Sequence, residues 1–365
     1  MEWHVWDFPD NIRVYFKDEF REWLFKRLKE ICGSRYRLAK ILNLHPMTIK
    51  QYELGHSTYN LSVYVPVSFV KRIIHIFKGL FTDDILSNLE KNIVAYRIRA
   101  GWPVYNPILP IKERPEIYSI IGHLLGDGCA SKNSLPFYCN KCEELISGFR
   151  NSLKVFGRVE IKLFIRKDGV KYLSFPTVIA RILQHIFNIK FTHPDSLPER
   201  LFKTTSENKA AFIRAFYDDE GCVSKKIYIT QKSKHLLKQL KDLLLSMDIK
   251  TGKIYKKRTA HQFIILTESY ENFQNLIPFT HPKKSKRLIE MMNRRRLKPI
   301  PLKHKVLQLI TKEPSITKYY VVEKFGVNKN AAIEALLSLK EEGKITGEYT
   351  GWQRPYLWYP TKSNV

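Results

Sequence analysis

The middle of the sequence repeats itself, and this duplication restricts the possible folds more than any other feature. Phe-Thr-His-Pro at 191–194 recurs at 279–282, an offset of 88 residues, and 127–132 resembles 220–225 at an offset of 93. A third pair of matching segments lies between them at an offset of 91. The offset decreases along the chain from 93 to 91 to 88 residues. Two copies of one unit whose loops differ in length would produce this pattern. We therefore predict a tandem duplication of a unit of about 90 residues.

Each copy shows the same order of helix and strand patterns. Apolar helix patterns at 116–125 and 209–218 are followed by an acidic residue and a glycine. A hairpin, an amphipathic helix, a second hairpin and a third helix come next; the second hairpin of the first copy pairs 159–166 with 172–175. The order αββαββα, present twice, predicts an α+β fold with antiparallel sheets.

Prolines divide the chain into three segments. Four of them fall between 103 and 115, where no long helix can continue, and Leu-Lys-Pro-Ile-Pro at 297–301 marks a second break. We predict an N-terminal domain of residues 1–105, a duplicated domain of residues 106–298 with repeats at about 113–200 and 206–298, and a C-terminal domain of residues 299–365.

The charge balance indicates a polyanionic partner. The chain has 62 Lys and Arg against 35 Asp and Glu, a formal net charge of +27. Nucleic acid is the first candidate and an anionic membrane surface the second. No run of 18 apolar residues is present, so we expect no membrane partner.

The terminal residues and the cysteine count favour the cytoplasm. The N-terminus has neither the basic nor the apolar region of a secretory signal, and five cysteines do not resemble a disulfide framework. We expect a cytoplasmic, nucleoid-associated protein. An intein is not expected, because residue 1 is methionine and the last residues are Ser363-Asn364-Val365.

The first helix of each copy carries small residues and is followed by an acid. Gly122 and Gly126 lie four residues apart, a spacing that lets two helices approach closely. The acids at the two ends are Asp127 and Glu220. A carboxylate at a helix C-terminus is electrostatically unfavourable, and two such ends side by side would repel each other. A divalent cation would remove the conflict, and hard oxygen ligands suit Mg²⁺ or Mn²⁺.

These two segments resemble the motif of the LAGLIDADG homing endonuclease family. Ile-Ile-Gly-His-Leu-Leu-Gly-Asp-Gly at 120–128 is similar to a first motif, and Ile-Arg-Ala-Phe-Tyr-Asp-Asp-Glu-Gly at 213–221 to a second. The resemblance covers about residues 106–298. It implies a pseudo-symmetric monomer with two αββαββα halves, whose saddle-shaped sheets lie in the major groove of double-stranded DNA. It also implies metal-dependent hydrolysis of phosphodiester bonds.

The resemblance assigns roles to particular residues. Asp127 and Glu220 become the metal-binding acids, and the backbone carbonyls of Gly126 and Asp219 become further metal ligands. Two polar residues at the ends of the first hairpins, Asn140 and Gln231, would organise the attacking water. A basic residue near the end of each repeat would be Lys283 in the second copy, but the first copy has Asp195 there.

This asymmetry leaves two functions open within the family resemblance. One is a sequence-specific endonuclease that cuts both strands or one. The alternative is a domesticated, cleavage-deficient DNA-binding transcriptional regulator on the same scaffold. An RNA-binding or RNA-processing protein is a third possibility that the basic surplus alone does not exclude.

Two flanking segments predict DNA-binding modules. Residues 35–55 have the pattern of a helix-turn-helix with its turn at Asn43-Leu44, and four residues would face DNA: His45, Thr48, Lys50 and Gln51. Residues 303–361 have the pattern of a winged helix, with three helices, a strand pair and a wing tip at 351–354. This module could bind DNA or contact a protein.

Basic residues of the second repeat are the remaining DNA-binding candidates. They are Lys232, Lys256, Lys257, Arg258, Lys284, Lys286, Arg287, Arg294, Arg295 and Arg296. Cys139 and Cys142 have the spacing of a zinc pair, but their counterparts in the second copy are Thr230 and Ser233, and no second cysteine pair completes four ligands. We therefore expect no zinc.

Overall fold

The structure is a computed structural model. It describes residues 1–57, 61–99, 101–131, 134–192, 194–296, 302–313, 315–349 and 356–361. The chain divides into two compact units, Met1–Ile289 and Glu290–Val365. The boundary predicted near residue 105 lies inside the first unit, so the division into three domains stays a prediction.

The N-terminal part of the first unit consists of short strands and helices. They are β1 Glu2–Trp3, β2 Arg13–Phe16, α1 Asp18–Cys32, α2 Arg35–Ile41, α3 Pro46–Leu54, β3 Val65–Pro66, α4 Val67–Ile76, α5 Asp83–Lys91, β4 Ile93–Arg97, β5 Val104–Tyr105 and β6 Ile111–Lys112.

Helices α2 and α3 occupy the positions that the sequence predicts for a helix-turn-helix. The side chain of Ser34 accepts a hydrogen bond from Arg37 N at the start of α2. Asn43 has a φ of 50°, the left-handed conformation that asparagine tolerates in a turn. The His45 ring then accepts from Met47 N and begins α3. Local capping thus explains where both helices begin.

The first repeat follows the predicted order of elements. Its elements are α6 Pro115–Leu125, β7 Gly128–Cys129, β8 Phe137–Asn140, α7 Glu143–Ser152, β9 Arg158–Val159, β10 Lys162–Ile165, β11 Lys171–Ser174, α8 Thr177–Phe187 and the connecting helix α9 Arg200–Lys203.

The second repeat has the same order. Its elements are α10 Ser206–Glu220, β12 Gly221–Val223, β13 Ile227–Gln231, α11 Lys234–Leu245, β14 Tyr255–Lys257, β15 Ala260–Ile264, α12 Tyr270–Leu276 and α13 Pro282–Arg296. The sheet orders β10-β11-β8-β7 and β14-β15-β13-β12 correspond strand by strand, and every pairing is antiparallel. The predicted α+β fold with duplicated αββαββα units is therefore confirmed.

One predicted strand of the first repeat is divided between two sheets. The sequence predicts a single strand over 159–166, whereas β10 joins the repeat sheet and β9 pairs with β5 of the N-terminal part. The reason lies at Gly157, where a Cβ atom would come within 2.7 Å of Asn106 O. Because glycine lacks this atom, the chain lies against the backbone near residue 106 and extends a five-stranded sheet of order β3-β2-β4-β5-β9.

The second unit has its own apolar core. Its elements are α14 Leu302–Lys312, β16 Ile316–Thr317, α15 Lys318–Phe325, α16 Lys329–Glu341, β17 Ile345–Glu348 and β18 Leu357–Pro360. The strands form a sheet of order β16-β18-β17. Ile310, Leu336 and Trp358 belong to one buried cluster, to which all three helices and all three strands contribute. The predicted wing tip at 351–354 lies outside the described residues.

Candidate active site

Helices α6 and α10 pack against each other at very short range. A Cβ atom on Gly122 would lie 2.6 Å from Phe212 O and 2.8 Å from Ala215 Cβ. No real side chain fits such a space, so glycine is required at this crossing. The predicted close approach of the two motif helices is therefore present, and it brings their carboxyl ends together.

The two helix ends differ in detail. α10 continues through Glu220, whereas α6 ends at Leu125 and Asp127 follows two residues later. Gly126 faces α10, because a Cβ atom there would lie 2.7 Å from Asp219 Cβ. The Asp219 side chain thus fills the space beside Gly126, and the interface holds three neighbouring acids instead of the two that the sequence predicts.

Asp127 and Glu220 both have raised pKa values. Burial, with the nearby Asp219 carboxylate as the next cause, raises the pKa of Asp127 to about 6. Burial, followed by the charges of Asp127 and Asp219, raises the pKa of Glu220 to about 7. Because carboxylates of one repeat raise the pKa of an acid in the other, the acids of the two repeats lie close together in one site.

Asn140 and Gln231 contact these acids. The Asn140 amide donates to Asp127 Oδ2 at 3.0 Å and to Asp219 Oδ1 at 3.3 Å. A side-chain hydrogen bond from Gln231 lowers the pKa of Glu220 and so opposes the effect of burial. The structure therefore brings both polar residues to the predicted centre, while their role toward a water molecule stays a prediction.

Asp219 is the centre of a hydrogen-bond network that the sequence did not reveal. Its carboxylate accepts from the Tyr138 hydroxyl at 2.7 Å and from His123 Nδ1 at 2.9 Å, and its side chain is fully buried. Both donors belong to the first repeat and Asp219 to the second. The one available signal was that the other copy has glycine, Gly126, at the equivalent position. A buried acid in that place needs hydrogen-bond donors from its neighbours.

Lys284 provides positive charge at the carboxyl end of α10. Its Nζ donates to the carbonyl oxygens of Tyr217 at 3.0 Å, Asp218 at 2.5 Å and Asp219 at 3.3 Å. Burial lowers the pKa of Lys284, while the nearby aspartates act against this shift. Lys283, the residue that the sequence suggests, is exposed. The structure thus places Lys284 beside the acids, because α13 begins at Pro282 and successive residues point in different directions.

The recurrent Phe-Thr-His-Pro segment has a structural contact in the second repeat. Asp218 accepts hydrogen bonds from the backbone N–H groups of Thr280 at 3.1 Å and His281 at 2.9 Å. These bonds fix the start of α13 against α10. They also explain why Lys284 reaches the carbonyl groups at the end of α10.

The acids of the centre fit a divalent cation whose ligand set is completed by other groups. Among the described residues, no group of three or more His, Cys, Asp or Glu side chains is arranged to hold a metal ion. The charge of Asp127 nevertheless raises the pKa of the half-buried Glu220, so the two carboxylates lie near each other. Mg²⁺ needs only one or two protein carboxylates when water or phosphate supplies the other ligands. The residues present fit a site of that kind.

The two cysteines of the possible zinc pair bond to different groups. Cys139 Sγ donates to Asp127 O at 3.2 Å, and Cys142 Sγ donates to Glu144 Oε2 at 3.0 Å. Burial, together with the two nearby aspartates, raises the pKa of Cys139 to about 11. A thiol in that state is a poor metal ligand.

The predicted DNA-binding residues are mostly on the surface. In α3 and at its start, His45 and Lys50 are exposed, while Thr48 and Gln51 are half-buried. Six basic residues of the second repeat are exposed: Lys232, Lys256, Lys257, Arg258, Lys286 and Arg287. Lys284 differs from them because it is turned toward the acids. The side chains of Arg294, Arg295 and Arg296 lie outside what the structure describes.

The fold and its centre define a class of protein in which duplicated αββαββα units join through two central helices that each lead to an acid. Residues 207–278, which hold nearly all of α10 and continue through α12, match the family model described as "LAGLIDADG-like domain". This segment of the second repeat is therefore similar to the LAGLIDADG family.

Two curated proteins of Methanocaldococcus jannaschii are similar to part of the chain. A probable translation initiation factor IF-2 is 27% identical in an alignment of 223 residues that covers 54% of this chain and 19% of that protein. A glutamine–fructose-6-phosphate aminotransferase (isomerizing) is 26% identical over 224 residues, 57% of this chain and 20% of that protein. The chain thus spans about one fifth of the length of these relatives. Their names describe unrelated activities, and neither is assigned to this chain.

Several solved structures are also similar. The homing endonuclease I-DmoI in complex with DNA and Mn is 16% identical with a TM-score of 0.35, covering 45% of this chain and 96% of that one. I-WcaI bound to its DNA recognition sequence is 14% identical with a TM-score of 0.38, covering 48% and 86%. Full-length DUF199/WhiA from Thermatoga maritima is 12% identical with a TM-score of 0.38, covering 64% and 93%. Because all three TM-scores are low, these likenesses carry no argument about activity.

Across the part of the chain that the structure describes, no helix combines the length and the apolar character needed to span a bilayer.

Proposed function

We propose that this protein is a sequence-specific endonuclease for double-stranded DNA that hydrolyses phosphodiester bonds with a divalent metal. The observation that carries the proposal is the pairing of Asp127 and Glu220 at the adjoining ends of α6 and α10, where burial and neighbouring carboxylates raise both pKa values. Packing alone needs no acid at either place, and buried like charges cost free energy unless a cation compensates them.

Mg²⁺ or Mn²⁺ is the cofactor that suits this centre. Asp127 and Glu220 would hold the ion with their side chains, and the carbonyl groups of Gly126 and Asp219 are additional oxygen donors nearby. A bound divalent cation would activate water and stabilise the leaving oxygen of a phosphodiester. Lys284 already donates to the Asp219 carbonyl at 3.3 Å. This carbonyl is therefore less available to a metal ion than the carbonyl of Gly126.

The polar neighbours would act on the reacting groups. Asn140 and Gln231 contact the acids and would orient water beside them. Lys284 would stabilise negative charge that develops on the phosphate, the role that the sequence suggests for Lys283. Because the equivalent of Lys284 in the first repeat is Ser196, the two strands of a duplex would meet unequal centres.

Duplex DNA is the partner that the charge distribution favours. The net charge is +27, and exposed basic residues follow the second repeat from Lys232 to Arg287. The two repeats supply both halves of a long site within one chain, so a monomer suffices. The α2–α3 pair would add contacts through His45, Thr48, Lys50 and Gln51, and the three-helix unit at 302–361 would add a further module.

The test combines selection with cleavage. Duplexes that bind the full-length protein would be selected from a randomised library, placed in a plasmid, and incubated with the protein and Mg²⁺ or Mn²⁺. We expect cleavage at the selected site by the wild type and none by the double variant Asp127→Asn, Glu220→Gln, with binding of the selected duplex nearly unchanged. Equal cleavage by the double variant would refute the assignment of the acids.

A DNA-binding regulator without cleavage is the second candidate, and the ammonium group of Lys284 favours it. This group already provides a cation inside the centre, so part of the negative charge is balanced without metal. The wild type would then select a specific duplex but would not cut it in the presence of Mg²⁺ or Mn²⁺. That result would support the regulator over the endonuclease.

A further inference from the structure

The outer face of the first-repeat sheet carries a largely apolar row of two aromatic side chains and a cysteine. Phe164 of β10 lies opposite Tyr172 of β11, which in turn lies opposite Cys139 of β8. The neighbouring row contains Leu173 and Tyr138, and both are fully buried against the helices. Because successive residues of a strand point to opposite faces, Phe164, Tyr172 and Cys139 lie on the face away from those helices.

This row is open to solvent at the edge of the sheet. Phe164 is 65% exposed. Leu163 and Ile165, which point to the opposite face of the same edge strand, are 42% and 55% exposed, so this strand is not covered on either face. An exposed apolar strand at a sheet edge is rare in a protein without a partner for it. The apolar face therefore indicates a ligand that offers apolar groups.

The equivalent row of the second repeat is polar. Tyr255 of β14 lies opposite Gln262 of β15, which lies opposite Thr230 of β13. Each of these side chains has a hydroxyl or amide group, whereas in the first row only Tyr172 has one, and that hydroxyl is bonded to Arg166. Gln262 is 4% exposed and so is covered, which leaves the hydroxyl groups of Tyr255, 47% exposed, and of the half-buried Thr230 as the accessible polar groups of this row. The two sheets thus offer different chemistry at matching positions.

Positive charge surrounds the apolar row. Lys162 begins the same strand and lies over the Trp102 ring at 4.4 Å, and Arg166 and Lys167 follow the strand in the turn to β11. Arg166 also donates to the Tyr172 hydroxyl at 3.2 Å. The major groove of a DNA duplex combines phosphates along its rims with the C5-methyl groups of thymine on its floor. This combination is complementary to an apolar row between cations.

We propose that the first-repeat sheet recognises thymine methyl groups through Phe164 and its row, and that the second-repeat sheet reads its half of the site by hydrogen bonds. The inference rests on the proposed binding of duplex DNA and adds which half of the site is read in which way. It assigns Phe164 as a specificity-determining residue.

The experiment compares two matched variants of the full chain. Binding sites would be selected from randomised duplexes for the wild type, for Phe164→Ser and for Tyr255→Ser, which alters the equivalent position of the second repeat. The half whose base preference relaxes in Phe164→Ser is the half that the first repeat contacts. Deoxyuridine, which lacks only the C5-methyl group, would then replace thymine in one half at a time.

We expect thymine at one or more positions of the first-repeat half. Each deoxyuridine there should weaken wild-type binding roughly fourfold, the effect of removing one buried carbon group. The same replacement should leave Phe164→Ser unaffected at the contacted position, and Tyr255→Ser should respond like the wild type. Phe164→Leu, which keeps an apolar side chain, should retain the preference for thymine. Unchanged melting temperatures would show that the variants fold.

Three outcomes would overturn the inference. The first is a selected site whose affinity does not change with deoxyuridine, and the second is an equal deoxyuridine effect in the wild type and Phe164→Ser. Either result would leave the proposed DNA binding intact. The third is a dimer in the absence of DNA that Phe164→Ser dissolves, because the row would then bind a second copy of the chain. Failure to select any duplex would instead refute the proposed function, and this inference with it.

Discussion

The hydroxyl group of Tyr138 donates a hydrogen bond of 2.7 Å to the carboxylate of Asp219 and so joins a strand of the first repeat to the central helix of the second. Both side chains are buried where the two repeats meet. The bond therefore belongs to the interface between the repeats and not to either repeat alone. Its loss should affect the stability of the whole first unit.

Tyr138→Phe should lower the free energy of unfolding by about 1–3 kcal/mol, because it removes one of the donors to a buried carboxylate. Tyr172→Phe is the matched control in the same sheet. The Tyr172 hydroxyl pairs with Arg166 at the surface, and its removal should change stability by less than about 0.5 kcal/mol. Urea unfolding measures both values. If both variants lost the same free energy of unfolding, the bond from Tyr138 to Asp219 would stabilise the fold no more than a surface hydrogen bond does.

A second prediction concerns two glycines inside helices. Gly122→Ala should destabilise the protein by about 1–3 kcal/mol, because the new Cβ would lie 2.6 Å from the backbone oxygen of Phe212 and force α6 and α10 apart. In α7, a Cβ atom on Gly148 would meet no atom within 4 Å, so Gly148→Ala should stabilise by roughly 0.5–1 kcal/mol. Thermal unfolding checks the opposite signs. A stabilising Gly122→Ala would contradict the packing described.

The sequence predicts the duplicated fold because repetition supplies each helix and strand pattern twice. It also locates Asp127 and Glu220, since both stand at the end of a recognisable helix pattern. It does not predict the partners of the Asp219 carboxylate. Those contacts depend on how two helices about 90 residues apart in the sequence align, which no local pattern contains.

The choice between Lys283 and Lys284 shows a related limit. Neighbouring residues of a helix point about 100° apart, so an uncertainty of one residue in where α13 begins changes which lysine faces the acids. The hydrogen bonds from Thr280 and His281 to Asp218 fix where α13 begins and therefore which of its side chains face the acids. They join residues more than 60 positions apart and are visible only in the folded chain.

A third prediction separates these two lysines. Lys284→Met should lower the free energy of unfolding by about 1–3 kcal/mol, because three carbonyl groups at the end of α10 lose a charged donor. It should also slow cleavage of a selected site. Lys283→Met removes an exposed charge, so stability should stay within about 0.5 kcal/mol of the wild type. If Lys283→Met lost more stability or cleavage activity than Lys284→Met, Lys283 would be the lysine that acts at the acids.

A fourth prediction follows from the net charge of +27. Each phosphate that the protein neutralises releases a counterion, so the affinity for a selected duplex should fall steeply as salt rises from low to physiological concentration. Substitution of one exposed lysine of the proposed DNA-binding surface, such as Lys257→Met, should reduce the slope of log affinity against log salt by about one. A titration by fluorescence anisotropy measures both slopes. Affinity that is independent of salt would contradict a DNA-binding role for the basic surface.

The final prediction concerns pH and uses the acids at the centre. The pKa is about 6 for Asp127 and about 7 for Glu220, whereas in the unfolded chain both groups titrate near their ordinary values. Between roughly pH 4.5 and pH 6 the folded state therefore binds more protons than the unfolded state. Without metal, the free energy of unfolding should fall as pH rises through this range, by at most about 1.4 kcal/mol per pH unit for each group.

The control is the double variant Asp127→Asn, Glu220→Gln, which keeps the shapes of the side chains and removes their titration. Its stability should change less with pH over the same range. At about pH 8, where both acids are ionised, Mg²⁺ should raise the melting temperature of the wild type and leave that of the double variant unchanged, because only the wild type binds the ion in its folded state. Identical pH profiles for the two proteins would contradict the raised pKa values. A wild type that does not respond to Mg²⁺ or Mn²⁺ would argue against a metal site at Asp127 and Glu220.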